Sequence, residues 1–306
     1  MQRYYCYGGV NKMKLQGIFS PIATPFDHNG EIYAVKVRHN VEKWNRTALQ
    51  GYVVLGSTGE SVMLTSSEKA TLWEMVAQYA APEKTLIAGT GAESVRETVS
   101  LTNTAAEMGY KAAMVRTPHY YKSAFSRPEA QMLFFRAVAD QARIPVIIYN
   151  WPQTTGIDIP AEAVAALSEH PNIIAVKESS GSLEKVMQMV RETRAGFNVL
   201  VGSAPTLWPS LLMGACGGIL AYANAAPYSC IAIWEAHLKR EEAAGLDWQN
   251  RIARAARLVT VKYGIPGLKY AMDLNGYYGG APRLPLTPPT AEAKKEIEEA
   301  FRDLKG

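Results

Sequence analysis

Ile173-Ile174-Ala175-Val176-Lys177 follows the turn-prone His170-Pro171-Asn172 and runs into Glu178-Ser179-Ser180-Gly181. An apolar run of this length between turn signals predicts a strand buried on both faces, as in a parallel sheet covered by helices. Lys177 stands where that strand leaves the core. A lysine at a strand end is ordinarily solvated. Held in the core instead, its ammonium loses hydration and its pKa falls, and the neutral amine so released attacks a ketone to form a Schiff base. The residue taken alone leaves both readings open.

Seven more apolar runs of the same kind flank it. They begin at Gly17 (GIFSPIAT), Gly51 (GYVVLG), Thr85 (TLIAGT), Ala112 (AAMVRTP), Ile144 (IPVIIYN), Asn198 (NVLVGS) and Gly218 (GILAYAN). Between them lie amphipathic stretches with helix-start signals: the Thr65/Glu68 capping box, Ser126 before Arg127-Pro128-Glu129, and Pro160 after Asp158-Ile159. Eight β/α units with little strand left over predict a closed (β/α)8 TIM barrel, an α/β fold, rather than an open doubly wound sheet. Helix-like stretches at Trp248–Tyr263, Gly267–Leu274 and Ala291–Leu304 predict a C-terminal helical extension. The expected organisation is an N-terminal extension over residues 1–12, a catalytic barrel over 13–225 and the helical extension over 226–306, with Met13 an alternative start.

Composition excludes several classes. The 306 residues are 48% hydrophobic with a net charge of only +4, which fits a soluble globular chain and gives no basic stripe for nucleic acid. Cys6, Cys216 and Cys230 are odd in number and widely spaced, which suggests neither a disulfide framework nor a zinc site and fits a reducing cytoplasm. No run reaches the roughly 18 apolar residues of a membrane span. Met1–Tyr7 lacks the apolar core of a secretory signal. The five histidines show no metal-ligand spacing, and no metal site is expected.

Active sites of (β/α)8 barrels lie at the C-terminal strand ends. The residues there are Thr24, Gly56-Ser57-Thr58-Gly59-Glu60, Thr117, Tyr149-Asn150, Lys177, Gly202-Ser203 and Asn224. An amine, a phenol and several hydroxyls in such a set suit carbonyl chemistry on a small anion. The hydroxyls and exposed N–H groups of Gly56–Glu60 would cradle a carboxylate, although the same residues also make an ordinary strand-to-helix turn. The stretch lacks the Gly-Lys-Ser/Thr ending of a phosphate loop. Tyr149 beside a neutral amine would shuttle protons, or else simply pack. Gly89-Thr90-Gly91 starts like a dinucleotide fingerprint, but Ser94 holds the third glycine place. His119 reads as a wall residue.

Taken in order, PIATPF (Pro21–Phe26), GSTGE (Gly56–Glu60), TPHYY (Thr117–Tyr121), YNWPQTTG (Tyr149–Gly156) and VKES (Val176–Ser179) resemble the dihydrodipicolinate synthase/N-acetylneuraminate lyase family of pyruvate-dependent class I aldolases. The resemblance runs from about Leu15 to Leu286. It implies Lys177 as the imine-forming amine, Tyr149 as general acid/base, and Ser57 and Thr58 as the holders of the pyruvate carboxylate, with Ser57 also in the proton relay. It implies Tyr120 as the tyrosine that in many members reaches into a neighbouring subunit, hence a homo-oligomer built as a dimer of dimers. Ile219 matches a position whose main chain lines the pyruvate pocket. No metal or organic cofactor is implied; the partners are pyruvate and an aldehyde, and the location cytoplasmic.

One departure bears on substrate. Where dihydrodipicolinate synthase has an arginine gripping the aldehyde's carboxylate, this chain has Thr154, which cannot supply a bidentate charged contact. Arg116 is a candidate to supply that charge from another direction. The tail Tyr263-Gly264-Ile265-Pro266-Gly267-Leu268-Lys269, with Met272-Asp273 and Gly276–Gly280, resembles the 4-hydroxy-2-oxoglutarate aldolase branch. The expected activity is therefore cleavage of 4-hydroxy-2-oxoglutarate to pyruvate and glyoxylate. The alternatives are condensation of pyruvate with aspartate semialdehyde, dehydration of a sugar acid, and a non-catalytic barrel that binds 2-oxo acids.

Overall fold

The computed structural model describes residue 13 and residues 15–304, so the expected extension over residues 1–12 lies outside the described residues. Eight parallel strands close into a barrel in chain order, with helices between them. They are β1 (Gly17–Pro21), β2 (Gly51–Val54), β3 (Thr85–Gly89), β4 (Ala112–Arg116), β5 (Val146–Asn150), β6 (Ile173–Glu178), β7 (Asn198–Val201) and β8 (Gly217–Ile219). Every residue of β1, β2, β5, β6, β7 and β8 is buried. Burial on both faces is why these strands read as unbroken apolar runs and not as alternating ones.

By density of contacts the chain forms two compact units. One comprises Ile87–Ile219 and the segment ending at Gly17; the other comprises Ile18–Leu86 and Leu220–Gly306. In the first, β8 starts hard against the entry to β1. The Gly17 N–H donates to the Cys216 carbonyl at 2.9 Å. Gly217 has φ +141°, and a Cβ there would run into the Gly17 carbonyl oxygen, so only glycine fits.

The strand readings shift at two places. β5 begins at Val146 and not Ile144, because Pro145 has no N–H to give a ladder, although its carbonyl still accepts from the Ala113 N–H at 2.8 Å. Ala221–Asn224, read as the end of the eighth strand, is a 3-10 turn. Within the second unit the Asn224 amide takes over the main-chain pairing, donating to the Pro21 and Ala221 carbonyls at 2.9 and 2.8 Å and accepting from the Ala23 N–H at 2.9 Å. A side chain thus ends the strand.

Helix signals fare similarly. Thr65 and Glu68 make the expected capping box for helix Ser66–Tyr79. Pro128 opens helix Pro128–Ala139, but Arg127 and not Ser126 occupies the cap. After β8 the helices are Pro227–Lys239, Glu242–Arg257 (continued by a π turn, Leu258–Lys262), Gly264–Leu274 and Ala291–Ala300. The first was unforeseen, although Pro227 at its opening is a start signal. No helix among the described residues is long and apolar enough to cross a membrane. Cys230 is a free buried thiol.

Candidate active site

In the first unit, β5 and β6 run in a register that sets Tyr149 opposite Lys177 and Asn150 opposite Glu178. Successive residues of a strand face opposite sides, so this register sorts the four into two pairs. Lys177 is 4% exposed, and its Nζ lies 4.2 Å from the centroid of the Tyr149 ring. Burial pulls the Lys177 pKa from 10.5 down to about 7. That fall corresponds to roughly 5 kcal/mol, against the ~2 kcal/mol by which a ring face favours a desolvated ammonium. Desolvation wins, so the neutral amine is far better populated near pH 7 than in a solvated lysine. Tyr149 is itself buried and stacks on Trp151, with ring centroids 6.1 Å apart.

The other pair neutralises its own charge. Asn150 Nδ2 donates to Glu178 Oε2 and Asp158 Oδ1, both at 2.8 Å, and Ser180 N–H donates to Glu178 Oε1 at 2.6 Å. Lys185 Nζ bonds Asp158 and stands 3.7 Å from Glu178 Oε2. Among the described residues no carboxylate lies within ion-pair distance of Lys177. Gly202 supplies the room, since a Cβ there would collide with Ser179 Oγ and approach Lys177 Cε to 3.0 Å.

The loop after β4 carries Tyr120. Glu93, which sequence reasoning did not single out, anchors it: Oε2 accepts the His119 and Tyr120 N–H groups at 2.9 Å each, and Oε1 meets Arg116 Nη1 at 2.9 Å. Burial alone would raise the Glu93 pKa, but the Tyr120 N–H, the Arg116 guanidinium and the His119 N–H together hold it below the ordinary carboxylate value. Arg116 Nη1 also lies 2.7 Å from His119 Nδ1, so its charge is committed within this cluster. Tyr120 is 78% exposed and meets Tyr121 edge to face at 5.2 Å. Thr154 sits exposed on the short helix Pro152–Thr155, and Ile219 closes β8 fully buried.

In the second unit, β2 leads into a 3-10 turn, Ser57–Gly59, that carries Ser57 and the buried Thr58. Thr24 Oγ1 donates to the Gly59 carbonyl at 2.7 Å. Leu55 and Glu60 on either side of the turn adopt left-handed φ values of 66° and 55°. For residues with a Cβ this costs about 1–2 kcal/mol each and persists only where the surroundings impose it. Glu60 is held by Lys269 Nζ at 2.6 Å and by the Arg283 N–H at 2.8 Å. Neither Glu60 nor Lys269 was expected as a partner of the other. Leu268, Ala271 and Met272 mark the buried face of helix Gly264–Leu274, but nothing in the sequence says that Lys269 turns inward with them.

The structure thus brings Lys177 and Tyr149 together in one unit and sets Ser57 and Thr58 on one turn in the other. Among the described residues no group of three or more His, Cys, Asp or Glu is arranged to hold a metal ion.

Comparison with known proteins supplies the family. Residues 14–304 match the model of the dihydrodipicolinate synthetase family. A 4-hydroxy-tetrahydrodipicolinate synthase of an Exiguobacterium species is 33% identical over 285 residues, covering 93% of this chain and 96% of its own. A probable mitochondrial 4-hydroxy-2-oxoglutarate aldolase of Emericella nidulans is 33% identical over 299 residues, covering 96% of each. Among solved structures, a dihydrodipicolinate synthase of Bacillus anthracis superposes with a TM-score of 0.89 at 28% identity, covering 94% of this chain and 98% of that one.

The depressed Lys177 pKa has a stability signature. Between about pH 7 and 10.5 the unfolded chain binds a proton that the folded chain does not, so this residue makes stability rise with pH across that window. Below pH 7 its full cost applies. Lys177→Met should therefore be more stable than the parent by a few kcal/mol (roughly 5 at most) at and below pH 7, the gap closing towards pH 10. Urea denaturation across that range measures it, and a gap that does not change with pH would refute the assignment.

Proposed function

Because the chain belongs to the dihydrodipicolinate synthetase family, whose members are class I aldolases and lyases acting through pyruvate, we propose that it cleaves 4-hydroxy-2-oxoglutarate to pyruvate and glyoxylate. The observation that carries the covalent chemistry is the buried, partly neutral Lys177 amine against the Tyr149 ring. The amine attacks the 2-oxo carbon, and Tyr149 gives its phenolic proton to the departing hydroxyl, so that water leaves and a protonated imine and a Tyr149 phenolate remain. Tyr149 takes the proton of the 4-hydroxyl, the C3–C4 bond breaks, and its electron pair enters the imine as glyoxylate leaves. The resulting enamine is protonated at C3, and water releases pyruvate and restores the amine. No metal or organic cofactor takes part in these steps. By family resemblance Ser57 and Thr58 hold the 2-oxo acid's carboxylate, and the main chain at Ile219 lines its pocket.

Two observations count against aspartate semialdehyde as the second substrate. Thr154 brings no charge to the turn after β5, and the Arg116 guanidinium is committed to Glu93 and His119. Relatives of equal identity favour a second reading, condensation of pyruvate with aspartate semialdehyde, through the same imine. We also assign Tyr120 to a neighbouring subunit's site in a dimer of dimers; its exposure on its own chain supports this. The location follows the same reading, a cytoplasmic enzyme.

Borohydride with pyruvate should inactivate the protein and leave a reduced pyruvyl adduct on Lys177, identified by peptide mass. Lys177→Ala should abolish trapping and turnover, while Tyr149→Phe should still be trapped but turn over roughly 10²–10⁴-fold more slowly. An adduct on another lysine with an active Lys177→Ala variant ends the assignment.

In a panel assayed for pyruvate release or uptake, 4-hydroxy-2-oxoglutarate cleavage should be the faster reaction, and semialdehyde condensation should run about 10- to 150-fold below that of a chain with arginine at position 154, the worth of one charge-assisted contact of roughly 1.5–3 kcal/mol. Thr154→Arg should recover that factor. Semialdehyde condensation as the faster reaction in the parent would select the synthase reading.

Sedimentation at assay concentration should give a tetramer, and Tyr120→Phe should slow turnover less than Tyr149→Phe. A fully active monomer would leave Tyr120 as a surface residue of its own barrel.

A further inference from the structure

The Ser57–Gly59 turn does not rely on its own bonds alone. The Gly59 and Glu60 N–H groups close it onto the Gly56 and Ser57 carbonyls at 3.0 and 3.1 Å. The N–H groups of Ser57 and Thr58 belong to the unsatisfied start of the turn. Left-handed Leu55 and Glu60 bracket it, a conformation these residues do not choose unaided.

What imposes it comes from the far end of the chain. Lys269, 209 residues on, is fully buried and gives Nζ to Glu60 Oε1, and the Arg283 N–H takes the other carboxylate oxygen. Lys269 is fixed in turn: Nζ also donates to the Ala281 carbonyl at 3.0 Å and lies 4.5 Å from the centroid of the Phe26 ring. Gly279 packs so closely on the Lys269 carbonyl that a Cβ there would collide with it. The Arg283 side chain ties the same loop to the Met63 and Gly30 carbonyls. A buried ion pair is a poor device for stability alone, since apolar residues of similar size often serve as well. Here its geometry fixes the backbone of a residue next to the turn.

We propose that Glu60 and Lys269 are a positioning pair through which the C-terminal segment sets the Ser57–Gly59 turn for carboxylate binding. The inference rests on the reading of Ser57 and Thr58 as the carboxylate cradle. Neither member touches substrate; each acts through the backbone of the turn. Losing the pair lowers affinity for the 2-oxo acid and leaves the amine chemistry of Lys177 nearly intact.

The test uses the double variant Glu60→Gly/Lys269→Met, which removes both buried charges together and lets residue 60 keep its left-handed φ without strain. Circular dichroism checks the fold, and Glu60→Gln/Lys269→Met serves if the first variant does not fold. The pyruvate concentration for half-maximal borohydride trapping should rise about 10-fold or more, as expected when binding groups lose their alignment. The trapping rate at saturating pyruvate should change less than about threefold. Lys269→Arg, which keeps the pair, should stay within about threefold of the parent in both. Amide hydrogen exchange over residues 56–61 should quicken in the double variant while that of β6 stays unchanged. A folded double variant with parental half-saturation and parental exchange overturns the proposal and leaves the pair a packing feature. A parent that pyruvate does not trap at all overturns the functional reading instead, and the exchange measurement then still decides whether the pair sets the turn.

Discussion

Desolvation of one ammonium is the constraint on which the candidate site depends. The Lys177 amine keeps its lowered pKa only while it is buried and unpaired, and strand register meets the second condition. β6 places Lys177 and Glu178 side by side in sequence but on opposite faces. Glu178 is the nearest carboxylate along the chain, and its two oxygens are taken up by Asn150 and the Ser180 N–H, with Lys185 close by. A slip of one residue in β6 would exchange the two faces, putting a carboxylate where the amine stands. The polar cluster around Glu178 therefore matters to chemistry it does not touch, because it holds that register.

Two buried lysines in this chain show how a partner decides the outcome of burial. Lys177 is pulled down to a pKa of about 7 by desolvation and has no charge to offset it. Lys269 is pulled down for the same reason, but the charge of Glu60 and its hydrogen bond push back. The first is poised to lose its proton, as an amine must before it can attack a carbonyl. The second stays bound to a carboxylate and becomes a fastener. Exposure alone would not separate them, since 4% and 0% describe nearly the same environment.

The barrel was legible because its strands are short, buried on both faces and separated by helices with recognisable starts. β8 was misread where the alphabet of apolar residues ran on but the pairing did not, because the amide of Asn224 replaced the ladder. Lys177 and Tyr149 stood out as candidates because each ends an apolar run in a motif of specific order, and the structure sets their side chains together. Glu93 was not, since its carboxylate works through the N–H groups of His119 and Tyr120, which carry no sequence signature. Lys269 was hidden for a related reason. Its partner lies 209 residues away, and lysine beside an apolar helical stripe ordinarily marks the edge of a solvated face.

In the proposed reaction, substrate choice would lie in a different part of the molecule from the covalent chemistry, which is why global likeness does not reveal it. The imine, the enamine and the pyruvate half are common to lyase and synthase, so the strands that build them are shared by relatives of both kinds. Discrimination is a difference of affinities for the second carbonyl compound, and a single cation at position 154 changes that difference without disturbing the barrel. Thr154 sits exposed on a four-residue helix whose fold depends on Pro152 and Gly156 and not on the side chain at 154. Arg116, the candidate to replace the charge, is spent on anchoring the Tyr120 loop through Glu93. The same guanidinium cannot hold that loop in its observed place and reach out to a substrate carboxylate. Loop geometry and the Arg116 charge are thus coupled through Glu93.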